Sequence, residues 1–177
     1  MPIPSLGSWR AIAGGITAPD GFAAAGITAG LKASGNPDLS LLLAPVGAVC
    51  AGTFTTSLVR AACVDLCAER LRSRGGQARA VLTNSGQANA CTGERGLADS
   101  LTATAALAQH LGLAPDEVLI CSTGVIGVPI PMDTLLAGFE PLVASLAGDQ
   151  AAGDAAARAI LTTDLVDKQI ALEADLG

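Results

Sequence analysis

An α/β fold, with mixed sheet layers and packed helices, is predicted by three observations on this chain. Short apolar stretches of strand length alternate with stretches of helical period. Half of the residues are hydrophobic but only 2% are aromatic, so Ala, Leu, Val and Ile must fill the core. Twenty-one glycines, set among many alanines, let backbones approach closely. A length of 177 residues suits one domain, residues 1–177, with a substantial core of its own.

The elements follow in order. Residues 1–37 are dense in glycine and read as short strands and turns, and Gly35-Asn-Pro-Asp38 is a turn signal. Leu39–Ala44 and Gly47–Thr55 are two apolar strand candidates separated by a proline turn. Helical period runs from Leu58 to Arg74. It puts Ala62, Cys63, Leu66, Cys67 and Leu71 on one face and leaves Arg60, Glu69, Arg70 and Arg74 largely outside it. Gly75-Gly76 ends that helix. Ala78–Thr83 reads as a strand, and the polar connection "NSGQANACTG" (Asn84–Gly93) leads into a long helix from about Glu94 to Leu111. Leu97, Leu101, Ala105, Leu107 and Leu111 form its expected apolar stripe. Val118–Cys121 is a strand that ends on Ser122-Thr123-Gly124, with further punctuation at Gly127, Pro129 and Pro131. Two short helical pieces split at Pro141 follow, then a third in "DQAAGDAAARAILTT". The strand-like "QIALEA" near the end has no capping element after it, so the fold is expected to continue in another polypeptide.

Composition excludes several classes. A net charge of −6 with only two lysines, Lys32 and Lys168, argues against a nucleic-acid surface. The longest apolar run, Leu39–Gly52, is broken by Pro45 and falls short of the roughly 20 residues a membrane span needs. "MPIPSLGSWR" shows no secretory signal. Five cysteines, an odd number, read as reduced and buried residues of a cytoplasmic protein.

The candidate reactive groups are few. His110 stands alone, which rules out a two-histidine metal centre, and its place near a helix C-terminus reads as a surface cap. Cys63 and Cys67 share a helix face but lack further ligands at matching spacing, so no metal is expected. Cys91 and Cys121 lie by polar turns. Cys91 precedes a helix start, yet His110 is at the far end of that helix, so neither cysteine reads as a nucleophile.

Two polar stretches remain. "NSGQANACTG" carries more amides and hydroxyls than one turn requires and could wall a small polar pocket. "STGVIGVPIPM" lacks the Walker pattern and the dinucleotide fingerprint. A hydroxyl beside a glycine at a strand end does suit an oxyanion site, which needs donors about 2.7–3.1 Å from the developing charge. Thr123 can offer its hydroxyl or N–H, and Gly124 an N–H with no side chain in the way.

Four ordered stretches together resemble the N-terminal half of the glutamate N-acetyltransferases, also called ornithine acetyltransferases. They are "GGITAPDGFAAAGITAGLKASGNPDLSLLLA", "TNSGQANACTG", "STGVIGVPIPM" and "ARAILTTD", and the likeness runs from Gly14 to about Lys168. The resemblance implies the self-processing fold of the ornithine acetyltransferase and DmpA-like proteins. There a precursor cuts itself between Ala and Thr into α and β chains that stay together, with the new N-terminal Thr of the β chain as nucleophile. It also implies a ping-pong transfer of acetyl from N-acetylornithine to glutamate in arginine synthesis. Acetyl-CoA is a further donor in some members, no cofactor is needed, and an α2β2 assembly is expected. Carried over by motif, Thr123 and Gly124 form the oxyanion hole and Thr162 contacts substrate, with Thr163 the near alternative.

The chain departs from the family pattern at Leu165, where members usually carry Thr, and at Asp167-Lys168, where they carry Pro-Lys. The segment leading into the cleaved bond is absent, so the chain is expected to be an α-chain part that stops before the cleavage site and, alone, lacks the nucleophile. Two other classes compete: an amidohydrolase or aminopeptidase of the same design with water as acceptor, and a non-catalytic small-ligand-binding module.

Overall fold

The computed structural model describes residues 9–175. Its elements are β1 (Trp9–Ile12), β2 (Ala23–Ile27), β3 (Leu39–Leu43), α1 (Ala62–Ser73), β4 (Ala80–Gln87), α2 (Gly93–Leu111), β5 (Val118–Val125), α3 (Met132–Ala137), α4 (Phe139–Ala144), α5 (Gln150–Ala159) and β6 (Ala171–Ala174). A 3-10 turn, Pro115–Glu117, leads into β5.

Four strands form the central sheet in the order β2-β3-β4-β5. The first two pairings are antiparallel, and β4 with β5 is parallel. Parallel neighbours need a crossover, and α2 supplies it. A separate antiparallel pair joins β1 to β6, the latter at the position read as strand-like.

Strand alternation sorts the side chains by face. Leu39, Leu41, Leu82, Val118 and Ile120 face a core closed by Ala103 and Leu107 of α2 and by Phe139 and Leu142 of α4, all buried. On the other face α5 lies over β2 and β3. Gly26 makes that contact feasible, because a Cβ there would sit 2.1 Å from the Ala155 carbonyl oxygen. Beside α5 a groove of about 960 Å³ opens, floored by Ser40, Leu42, Val81 and Thr83. Further along β5, Cys121 is exposed. Among the described residues no helix is long and apolar enough to cross a membrane.

Several local expectations are corrected. Gly47–Thr55 is not a strand but irregular, largely exposed backbone; Val49 is 82% exposed, and the Cys50 amide bonds the Gly76 carbonyl at 2.7 Å without extending into a ladder. Arg70 lies inside the apolar face of α1, 6% exposed, because its guanidinium caps a strand carbonyl. The buried stripe of α2 is Gly96, Ser100, Ala103, Thr104, Leu107 and Ala108, while Leu97 and Leu101 are exposed. The Asn89 side chain turns the helix this way by donating to both the Gly96 carbonyl and the Ser100 hydroxyl, at 2.9 Å each.

The two short helices divide at Gly138 rather than Pro141, which lies in the first turn of α4 where its missing N–H costs nothing. α5 ends at Ala159, short of the two threonines, and Asp149 caps its start by accepting from the Ala152 amide. All five cysteines are free, but only Cys63 and Cys67 are buried; Cys91 and Cys121 are exposed.

Both β4 and β5 run four residues beyond their expected apolar ends, to Gln87 and Val125. The polar residues continue the ladder by satisfying one another. Asn84 stands beside Ser122 in register, and the Ser122 hydroxyl donates to Asn84 Oδ1 at 2.6 Å.

Candidate functional site

In a parallel ladder alternate residues of a strand bond to one neighbour, and the residues between them present their N–H and C=O to the opposite side. β5 is the outermost strand of its sheet, so that opposite side is an edge. The Ala88 amide donates to the Val125 carbonyl at 2.9 Å, which sets the phase: odd-numbered residues of β5 bond to β4, and even-numbered ones face the edge.

Helix α1 seals this edge position by position. Arg70 donates to the Val118 carbonyl at 2.5 Å. The Cys67 thiol donates to the Ile120 carbonyl at 3.2 Å and accepts from the Ile120 amide at 3.3 Å. Burial pushes the Cys63 thiol up, and hydrogen bonds to Ser122 pull the other way. Steps of three and four along the helix thus match steps of two along the strand. The next even position is Gly124. α1 starts at Ala62, so none of its residues reaches that far, and Gly124 is exposed. Its N–H is the first edge amide of β5 beyond the cover of α1.

Thr123 is in register with Ser85, so its amide belongs to the ladder and its hydroxyl is the donor it has left. That hydroxyl has no hydrogen-bond partner among the described residues. Gly124 is in register with Gly86, and both have positive φ, 130° and 126°. A Cβ on Gly124 would sit 2.4 Å from the Gly86 carbonyl carbon and oxygen, so only glycine allows this approach.

Thr162 and Thr163 are exposed on the bend after α5. Ser85, the ladder neighbour of Thr123, donates its hydroxyl to the Ala159 carbonyl at 2.6 Å, which brings the end of α5 to the same end of the sheet. The segment that leads to Thr162 and Thr163 is thereby tied at Ala159 to the end of the sheet where Thr123 and Gly124 lie.

"NSGQANACTG" divides between two roles. Asn84–Gln87 is strand, and Asn89–Thr92 is a turn that stabilises the start of α2, where Thr92 donates to Asn89 Oδ1 at 2.8 Å. Asn89 and Cys91 hold left-handed φ values of 50° and 57° there. The Gln87 amide group donates to the Leu31 carbonyl at 3.0 Å and leaves its own Oε1 buried without a partner. Cys121 opens toward the groove side of the sheet, yet desolvation by its surroundings and the nearby thiols of Cys67, Cys63 and Cys50 push it up to about 11. It stays a neutral thiol, unsuited to nucleophilic attack.

Asp38, Lys32 and Gly86 are missing from the residues singled out by sequence. Asp38 is fully buried, and its carboxylate accepts the amides of Ala29, Gly30, Leu31 and Lys32 at 2.6–3.1 Å. In sequence it looks like one more turn residue. Gly86 did leave a signal, since a glycine inside a strand often marks a close backbone approach. Among the described residues no group of three or more His, Cys, Asp or Glu could hold a metal ion.

The geometry defines a class: a layered α/β chain whose outer parallel strand runs past its helical cover and ends in a facing glycine pair. The ArgJ family matches residues 23–177, and the chain belongs to that family. It is 70% identical over 169 residues to the arginine biosynthesis bifunctional protein ArgJ of Parasynechococcus marenigrum (strain WH8102), covering 96% of this chain and 41% of that protein. Identity to the protein of the same name from Prochlorococcus marinus (strain MIT 9313) is 72%, over 96% of this chain and 39% of that one. The chain thus spans about two fifths of the length of these relatives. Among solved structures, it resembles the ornithine acetyltransferase of Mycobacterium tuberculosis complexed with ornithine, with a TM-score of 0.88, 45% identity, and coverage of 93% of this chain and 88% of that one.

Proposed function

We propose that this chain is the oxyanion-supplying half of an acetyltransferase that moves acetyl from N-acetylornithine to glutamate in arginine biosynthesis. The observation that carries the reading is the uncovered Gly124 amide next to the unpartnered Thr123 hydroxyl, at an exposed strand edge. Two preset donors at such a place suit the negative oxygen of a tetrahedral acyl intermediate. The names of the relatives and the ornithine held by the solved neighbour support the substrate class.

The nucleophile is an N-terminal threonine of the partner chain, whose own amine takes the hydroxyl proton. Its oxygen attacks the acetyl carbonyl, and charge builds on the carbonyl oxygen between Thr123 and Gly124. Collapse expels the ornithine α-amine, which takes up the proton, and leaves an acetyl ester on the partner. The glutamate α-amine attacks that ester through a second oxyanion in the same place, regenerating the threonine. Thr162, with Thr163 beside it, contacts the amino-acid portion of the substrate. Assembly is α2β2, in the cytoplasm.

The test is mass spectrometry of the chain assembled with the portion its relatives carry beyond this span. Incubation with N-acetylornithine should add one acetyl group to the partner's N-terminal threonine, and glutamate should discharge it faster than water does. No adduct, or discharge by water alone, would refute the transfer reading.

A further inference from the structure

Residues 28–38 form a loop that is ordered from within by one carboxylate. Four consecutive amides, from Ala29 to Lys32, converge on buried Asp38, so the loop's backbone donors are satisfied from within by charge-assisted hydrogen bonds. The loop is also tied to the sheet. The Asp38 carbonyl accepts from the Ser85 amide at 2.8 Å, and the Leu31 carbonyl accepts from Gln87. Gly86 lies against it too, since a Cβ there would be 3.1 Å from the Leu31 oxygen. The loop is thereby joined to the polar end of β4 that carries Gly86.

Lys32 extends from this loop. Its ammonium donates to the Pro37 carbonyl at 2.8 Å, within the loop, and to the Leu161 carbonyl, 129 residues away. Leu161 immediately precedes Thr162. With Ser85 holding the Ala159 carbonyl, the segment behind α5 is pinned at two points two residues apart. Beyond these points Thr162 and Thr163 are exposed and lie outside helix and strand. An ammonium that bridges two carbonyls while half-buried is expensive to desolvate, and burial does hold its pKa below the usual lysine value despite nearby Asp38. Lys168, the other lysine, instead pairs with Asp164 on the surface.

We infer that Lys32 is a positioning residue that sets the distance between the Thr162 segment and the Thr123–Gly124 strand, and so the fit of the substrate's amino-acid portion. This rests on the proposed acetyl-transfer reading for its kinetic consequence, but the tether itself is independent of turnover. The role differs from that of the oxyanion donors: the Lys32 ammonium bonds the Pro37 and Leu161 carbonyls, and it acts through the backbone of Leu161.

The test uses Lys32→Met, which keeps the apolar stem and removes the donors, in the fully assembled protein. The expected result is a KM for N-acetylornithine raised about tenfold with kcat within about threefold, since binding is lost without a transition-state donor. Hydrogen exchange should quicken across residues 160–164 and stay unchanged in β5. Lys32→Arg, which retains a charged donor, should restore much of the KM and the exchange protection, and it serves as the comparison if Lys32→Met does not assemble. An unchanged KM with unchanged exchange at 160–164 overturns the inference, as does a kcat loss at constant KM. If the unaltered protein transfers no acetyl but Lys32→Met still loosens residues 160–164, the tether stands and the acetyl-transfer reading falls.

Discussion

Gly86 and Gly124 face each other across the parallel pair β4–β5, both in the left-handed half of backbone space, with no room between them for a methyl group. The two glycines meet at one register position where α1 stops covering the strand edge. The donor strand and its neighbour are thus shaped together.

Gly124→Ala should therefore disrupt more than one hydrogen bond. A methyl group 2.4 Å from the Gly86 carbonyl cannot be accommodated without parting the strands, and the φ of 130° strains any L side chain. The expected destabilisation is about 2–4 kcal/mol from strain and overpacking. Chemical denaturation of the variant would show it as a lower midpoint, together with loss of acetyl transfer.

Thr123→Ala should separate chemistry from folding. The hydroxyl has no partner in the described structure and the side chain is only half-buried, so its loss should leave the unfolding midpoint almost unchanged. Loss of one oxyanion donor typically slows turnover about 10²–10³-fold. Steady-state kinetics of the assembled variant should show that drop in kcat, while Thr123→Ser keeps most of the rate. A near-normal rate in Thr123→Ala would remove the residue from the site.

Asp38→Asn tests the loop's organising carboxylate. An amide offers one acceptor oxygen where four backbone N–H groups converge, and it turns a donor toward the others. Asp38 Oδ1 accepts from Ala29 alone and Oδ2 from the other three, so an asparagine oxygen at the Oδ2 place leaves one amide unpaired, and a loss of about 1–3 kcal/mol is expected. Thermal unfolding would report it.

Cys121 gives a pH signature. Its thiol is raised from 9.0 to about 11, so the folded chain keeps the proton to higher pH than the unfolded chain does. Between these values the unfolded state binds fewer protons, and by linkage stability falls as pH rises. The contribution is complete below pH 9 and gone above about 11. Denaturant midpoints measured from pH 8 to 11 should decline, and less steeply in Cys121→Ala. Alkylation of this exposed thiol should stay slow at pH 8 and accelerate steadily toward pH 11.

Much of the layout was legible along the chain. Apolar runs located β3, β4 and the start of β5, and helical period located α1 and α2. Where the reading failed, the reason was a partner outside the periodic segment itself. Leu97 and Leu101 look like core in a helical wheel, but Asn89 rotates α2 so that Gly96 and Ser100 face inward instead. Arg70 looks like surface until the Val118 carbonyl, 48 residues on, is there to receive it. Gly47–Thr55 has strand composition and no neighbouring strand to complete it.

The candidate site divides in the same way. Sequence alone singled out Thr123 and Gly124 as candidate donors, because the chemical need for a hydroxyl and an unhindered amide is local and the motif that carries them is contiguous. It also fixed the general α/β layering, through periodicities that depend only on neighbouring residues. Tertiary structure alone decided which donors are free. Whether an amide of β5 is paired depends on the strand to one side and on how far a separate helix reaches on the other. Those distances emerge only when segments remote in sequence pack together, as α1 does against β5 and Lys32 does against Leu161.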